Sequence, residues 1–317
     1  MDIKTKKTKL NAKRVFLTKG TCSHAFFYIL NREFGHPKEM EERAIDPLAG
    51  GILQLGYQCG MLWGASMAVG AESFRSHDDI GTATAVAIKA TQRIMKSFEN
   101  RTKCIECEDF TKTDFKNKWS FAKYMFSGKF LSCYQLAEKW APEAIEAATE
   151  GLGLESNELN LPTKSCASEV VKKMGASDEE MVMVAGFAGG LGLSGSGCGT
   201  LSAAIWMNIL RLVRKGKWKS SFYDPESGKV LNTFYEVTDY ELECNKICGK
   251  HFATTDDHTG FKKRRLQQTD RCNSKMLNIK GNYHENKIIK TICPHTCRRV
   301  WHVGYCRSLA QSDFAIL

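Results

Sequence analysis

The sequence predicts an all-α protein made of two tandem, duplicated helical units, each with a glycine-rich cysteine loop. Three observations point there. Apolar residues recur at three and four spacing, whereas the alternation expected of a strand is scarce. Only six prolines occur among 317 residues, which leaves room for long helices. A cysteine-bearing segment also occurs twice in one register: Ala49-Gly50-Gly51 stands ten residues before Cys59-Gly60, and Ala188-Gly189-Gly190 stands ten residues before Cys198-Gly199.

The elements follow in chain order. Residues 1–19 form a basic N-terminal segment, and no unbroken apolar stretch or small-residue cleavage site follows its lysines, so a secretory leader is not expected. Cys22 to Arg32 opens the first unit, residues 20–153, as a helix. Met61 to Ala71 is the helix after the first central cysteine. Asp79 to Lys96 places Ile80, Ala83, Val86, Ala87, Ala90 and Ile94 on one face. Leu136 to Gly151 repeats the pattern and ends on a glycine, where a C-cap belongs. Residues 154–164, with Ser156, Asn157, Asn160 and Pro162, read as a linker. The second unit, residues 165–310, opens with a helix from Ser165 to Met174 and continues with one from Thr200 to Val213. Residues 216–228 read as a turn-rich insertion, and 254–282 as a polar, basic loop of the second unit.

The match between the units extends beyond the loop. Gly56 falls on Gly195, Leu62 on Leu201, and Cys22 on Cys166, which precede the central cysteines by 37 and 32 residues. Downstream, Arg93 to Phe98 with Cys104 and Cys107 falls on Lys229 to Phe234 with Cys244 and Cys248; Cys104 and Cys244 follow the central cysteines by 45 and 46 residues. Cys133 closes the first unit, and Cys293 or Cys297 the second. A period of about 140 residues means duplicated domains, since solenoid repeats run roughly 20–50 residues.

Thirteen cysteines in a long chain without an export signal point to reduced thiols, metal ligands or redox centres in the cytoplasm rather than to a disulfide framework. Cys59 and Cys198 lie between a glycine-rich loop and an apolar helix, where free N–H groups and the helix dipole favour thiolate. Gly56, Gly60, Gly195 and Gly199 would let the backbone approach a sulfur or a cofactor closely. Convergence of Cys22, Cys59, one or both of Cys104 and Cys107, and Cys133 would supply four thiolates, suited to tetrahedral Zn or a [2Fe–2S] cluster. Cys166, Cys198, Cys244, Cys248 and Cys293 or Cys297 would do the same in the second unit. Without metal, the same cysteines could work as dithiols. His24, His251 and His295 lie near cysteines, but a single histidine is more often a hydrogen-bonding residue than a ligand. Cys272 and Cys306 read as ordinary apolar packing.

This order of cysteines resembles the redox-active C_GCAxxG_C_C family, with two family units spanning residues 20–310. Gln58 precedes the first central cysteine and the closing glycine, Gly64, comes one position late; the second copy keeps Gly197 but has Ser202 for the closing glycine. The resemblance implies a redox role, and, because a related domain in split-Soret cytochromes is associated with a [2Fe–2S] centre, it makes an iron–sulfur cluster admissible.

Other classes are disfavoured. Glu108 and Gly249 stand where a c-type haem site needs histidine. No P-loop or dinucleotide fingerprint occurs. The net charge of +10 comes with no recognised nucleic-acid motif, so no nucleic acid partner is expected. Residues 47–71 and 181–210 lack charged side chains, yet their glycines and polar residues break them below the ~20 residues of a membrane span. The expected function is thiol or iron–sulfur redox chemistry, with a zinc-stabilised scaffold as the rival and the redox partner unidentified. The helices after Cys59 and Cys198 are the expected contact of an internal pseudo-dimer.

Overall fold

The computed structural model describes residues 11–154, 159, 162–221 and 224–261. Cys272, Cys293, Cys297, Cys306, His295, the tract from 262 onward and most of the linker lie outside them. Among the described residues the fold is all-α, with two isolated backbone bridges and no strand.

The first half begins with α1 (Ala12–Lys19) and α2 (Cys22–Glu33), which the Thr21 side chain caps by accepting the His24 N–H. The short α3 (Glu39–Ala44) and a 3-10 turn, η1 (Asp46–Leu48), lead into the glycine loop. Then come α4 (Gly60–Ser76) and α5 (Ile80–Thr102), the latter capped by Asp79 and ended by Lys103 in the left-handed region. The single turn α6 (Cys107–Thr111), α7 (Lys118–Phe126) and α8 (Phe130–Leu152) complete it.

From Gly60 to Ala71 α4 carries no charged side chain and is accordingly buried on all sides. It lies against α2, where Gly64 lets the backbones approach at Ser23, and against α5. α8 covers the other face of α5. There Trp140 stacks on Phe26 at 4.9 Å and meets Phe98 edge-on at 4.7 Å, the geometry aromatic rings prefer.

The second half runs α9 (Cys166–Lys173), α10 (Asp178–Met183), the 3-10 turn η2 (Ala185–Phe187), α11 (Gly199–Arg214), α12 (Pro225–Thr238) and the single turn α13 (Cys244–Cys248). Part of the stretch expected to be a turn-rich insertion is helical. Asp224 accepts the Ser227 N–H and Pro225 takes the first helical position, so the Asp-Pro pair starts a helix.

The two halves share one hydrophobic core, and the principal contacts between them are reciprocal. The expected direct packing of α4 on α11 is replaced by cross-packing, in which α4 lies on α10 and η2 while α11 lies on α3 and η1. Gly70 of α4 makes this possible, because a Cβ there would stand 2.5 Å from the Met183 carbonyl oxygen and 2.6 Å from that of Val182. In return, Trp206 of α11 donates its indole N–H to the Glu41 carbonyl at 3.2 Å, and Arg214 reaches Glu41 at 3.0 Å and Glu180 at 2.6 Å.

Candidate functional site

Each glycine loop is a run of left-handed backbone. Gly50, Gly51, Ile52, Leu53 and Gln54 all have positive φ, as do Gly189, Gly190, Leu191, Gly192 and Leu193. Such a run is costly for residues with a Cβ, at roughly 1–2 kcal/mol each, so the surrounding contacts must hold it. The loop ends by pairing with the segment before α6: the Cys59 N–H donates to the Ile105 carbonyl at 2.8 Å, and the Cys107 N–H to the Tyr57 carbonyl at 2.7 Å. This clip brings Cys59, at the start of α4, to Cys107, at the start of α6.

Four cysteines act on one another electrostatically here. Cys22, the first residue of α2, shares a hydrogen bond with Cys59. Cys107 interacts electrostatically with Cys22, Cys59 and Cys133, the last of these brought by α8. Gly60 belongs to the site, since a Cβ there would stand 2.5 Å from the Cys22 sulfur. Gly56 faces Glu108, Gly195 faces His251 and Asn245, and Gly199 faces the Phe187 backbone, so these three shape the loops without touching a sulfur. Cys104 also acts electrostatically on Cys107, and its own sulfur lies 3.6 Å from the Thr102 carbonyl.

In the second half, Cys198 interacts with Cys166, and Cys244 with Cys198 and Cys166. The Cys244 and Cys248 sulfurs are 4.0 Å apart. By its hydrogen bonds Cys244 corresponds to Cys107, not to Cys104, because each opens the single turn that follows the clip. All nine described cysteines are thiols. Among the described residues, no group of three or more His, Cys, Asp or Glu side chains is drawn close enough to enclose a metal ion.

The expected preference for thiolate at Cys59 and Cys198 is overturned. Both occupy the predicted helix starts, and backbone N–H groups do favour their thiolates. The Cys22 hydrogen bond and then burial nevertheless push Cys59 well above the ordinary thiol range, and burial pushes Cys198 to about 12. Burial also holds Cys107 high and takes Cys133 to about 11. Cys244 is raised by Cys248 and by burial. Among the cysteines of the first half Cys22 alone is lowered, first by the Cys59 hydrogen bond and then by N–H groups of Gly50 and Ser23. His24 does not act on Cys22; it pairs with buried Asp46 at 3.2 Å.

Several neighbours were not legible as site residues. The Tyr124 hydroxyl lies 3.3 Å from the Cys133 sulfur and the Thr200 hydroxyl 3.0 Å from that of Cys198. Gln58 spans the two loops, donating to the Gly190 carbonyl at 2.6 Å and the Gly197 carbonyl at 3.3 Å. The absence of a side chain at Gly197 makes room, because a Cβ would stand 2.6 Å from Gln58 Oε1. Glu106 interacts with Ser196 across the same junction, and burial raises its carboxyl to about 7.

Cysteines from α2, the start of α4, the start of α6 and α8 thus meet in the chain order of the resemblance noted in the sequence. Residues 21–146 match the family described as "Putative redox-active protein (C_GCAxxG_C_C)". Over those residues the chain is similar to that family. This C_GCAxxG_C_C match ends before α9. Comparison with curated proteins and with solved structures found no match. Among the described residues no helix is long and apolar enough to cross a membrane.

Proposed function

We propose that the chain is an electron carrier of a reducing, cytoplasmic compartment, in which Cys22, Cys59, Cys107 and Cys133 hold a [2Fe–2S] cluster. The observation that carries this reading is the convergence of four thiols from four helices at one largely buried place. A set of four sulfurs is the donor set such a cluster requires, and thiolate softness suits iron.

The protein's own groups fit the assignment. Burial chiefly makes Cys107 and Cys133 keep their protons, as the Cys22 hydrogen bond and then burial do for Cys59, and repulsion among neighbouring thiolates adds to it. A bound cation offsets that repulsion and releases the protons. N–H groups of Gly50, Ser23 and Met61 point at Cys22 and Cys59 and would stabilise their charge. The cluster, when bound, would supply a one-electron couple whose potential depends on hydrogen bonds to sulfur and on solvent access. Zinc fits four thiols equally well but has no redox chemistry, so the redox description of the family favours iron.

The test is purification without oxygen, followed by the visible spectrum and by paramagnetic resonance after chemical reduction. Visible bands that bleach on reduction, with a one-electron signal and acid-labile sulfide, support the reading. A colourless protein that binds zinc alone would establish the scaffold; a metal-free protein whose cysteines form disulfides reversibly would establish a dithiol protein.

A further inference from the structure

We propose that Cys166, Cys198, Cys244 and Cys248 form a second four-sulfur site, beyond the segment that matches the family, with Cys248 taking the place that Cys133 fills in the first. The inference rests on the cluster-binding reading of the first site.

The backbone of the second loop repeats most bonds of the first, although the Ser196 N–H turns to the Ser194 hydroxyl at 3.4 Å where the Tyr57 N–H donates to the Gly51 carbonyl at 3.2 Å. The N–H groups of Leu53 and Gly56 donate to Pro47 and Gly50 at 2.8 and 3.1 Å; those of Gly192 and Gly195 donate to Gly186 and Gly189 at 2.8 and 2.9 Å. Cys59 donates to Ile105 and Cys198 to Leu242, at 2.8 and 2.9 Å. Cys107 and Glu108 donate to Tyr57 and Gly56 at 2.7 and 3.0 Å, while Cys244 and Asn245 donate to Ser196 and Gly195, both at 2.8 Å. Many paired positions differ in side chain, such as Pro47 and Gly186 or Glu108 and Asn245, so the shared loop is a property of the site and not of one local sequence.

Three cysteines of the second half have direct counterparts: Cys166 opens α9 as Cys22 opens α2, Cys198 precedes α11 as Cys59 precedes α4, and Cys244 opens α13 as Cys107 opens α6. The fourth does not. In the first half a separate long helix, α8, carries Cys133. In the second, Cys248 stands four residues beyond Cys244, the spacing that places two side chains on one helix face, with the sulfurs 4.0 Å apart. The position that matches Cys248 in the first half is Thr111, whose hydroxyl bonds back to the Cys107 carbonyl at 2.8 Å. The second site is therefore complete without Cys293 or Cys297.

The experiment measures iron, zinc and acid-labile sulfide per full-length chain after anaerobic purification. The forms compared are the natural protein, C133A, C248A, the C293A/C297A pair, and C133A/T111C, with melting curves as a check of folding. The expected result is about four iron and four sulfide in the natural protein and half that in C133A and in C248A. C293A/C297A should keep the full value, and C133A/T111C should regain what C133A loses. That last form gains binding, so a folding defect cannot imitate it. Two iron in the natural protein, unchanged by C248A, would overturn the second site alone, as would halving by C293A/C297A. Two zinc, each lost in the same pattern, would keep both sites and sink the electron-carrier reading. No metal in any form would sink both.

Discussion

Two glycines in helices make opposite predictions for the same substitution. Gly70 lies inside α4 and Gly228 inside α12. Replacing glycine by alanine in a helix gains about 1 kcal/mol of propensity, whichever helix it is. At Gly228 the new methyl meets nothing within 4 Å, so Gly228→Ala should stabilise by roughly that amount. At Gly70 it would stand 2.5 to 2.7 Å from the backbone of Val182 and Met183, where ordinary contact begins at 3.4 Å. The α10 backbone would have to retreat by about 0.7–0.9 Å. It is held by Ser177 in a capping box and by Arg214 on Glu180, so the overpacking cost should sit in the upper part of the usual ~1–3 kcal/mol. Gly70→Ala is therefore expected to destabilise by about 1–2 kcal/mol net, and the two variants to differ by about 2–3 kcal/mol. Urea unfolding of the full chain under reducing conditions reads this directly, provided the slopes agree. A Gly70→Ala protein as stable as Gly228→Ala would refute the close approach of α4 to the second half.

A second pair of glycines separates strain from collision. Gly20→Ala meets only the cost of its left-handed backbone, about 1 kcal/mol, whereas Gly51→Ala also drives a methyl into the Tyr57 backbone and should cost about 3–4 kcal/mol in the same assay. Gln58→Ala leaves the Gly190 and Gly197 carbonyls without this donor and should lower stability by about 1–3 kcal/mol; an unchanged denaturation midpoint would show that the bridge between loops contributes nothing. In reduced, metal-free protein, Cys22 has the lowered pKa of its group, so at a given pH it is the most ionised and should be alkylated before Cys59, Cys107 and Cys133 as pH rises from 6. Mass mapping gives the order, and prior labelling of Cys107 would refute the assignment.

The helices α2, α4, α5, α8, α9 and α11 and the two loops were legible because their signals are local: apolar residues at helical spacing, glycine runs, and Cys-Gly before an apolar stretch. The register of the clips was not. Both α5 and α12 end on a left-handed residue, but Lys103 stands 44 residues beyond Cys59 and Asp239 only 41 beyond Cys198, and the interval to the clip, two residues to Ile105 and three to Leu242, restores just one of the three. Counting from the central cysteines therefore pairs Cys104 with Cys244, while the backbone bonds pair Cys107 with it. The role of Gln58 was hidden for another reason. In sequence it interrupts a glycine motif; its partners lie more than 130 residues away, and only the meeting of the two loops supplies them.

The shared core also bears on how the chain is made. The face of α4 at Gly70 is covered by Val182 and Met183 and that at Trp63 by Phe187, so the first half is unfinished when its own last helix has emerged. Roughly 110 residues separate the end of α4 from Phe187. At about 5–20 residues per second, a growing polypeptide would carry that apolar surface bare for roughly 6–20 s. The ribosome-bound intermediate is thus a natural client for chaperones that shield apolar helices during translation.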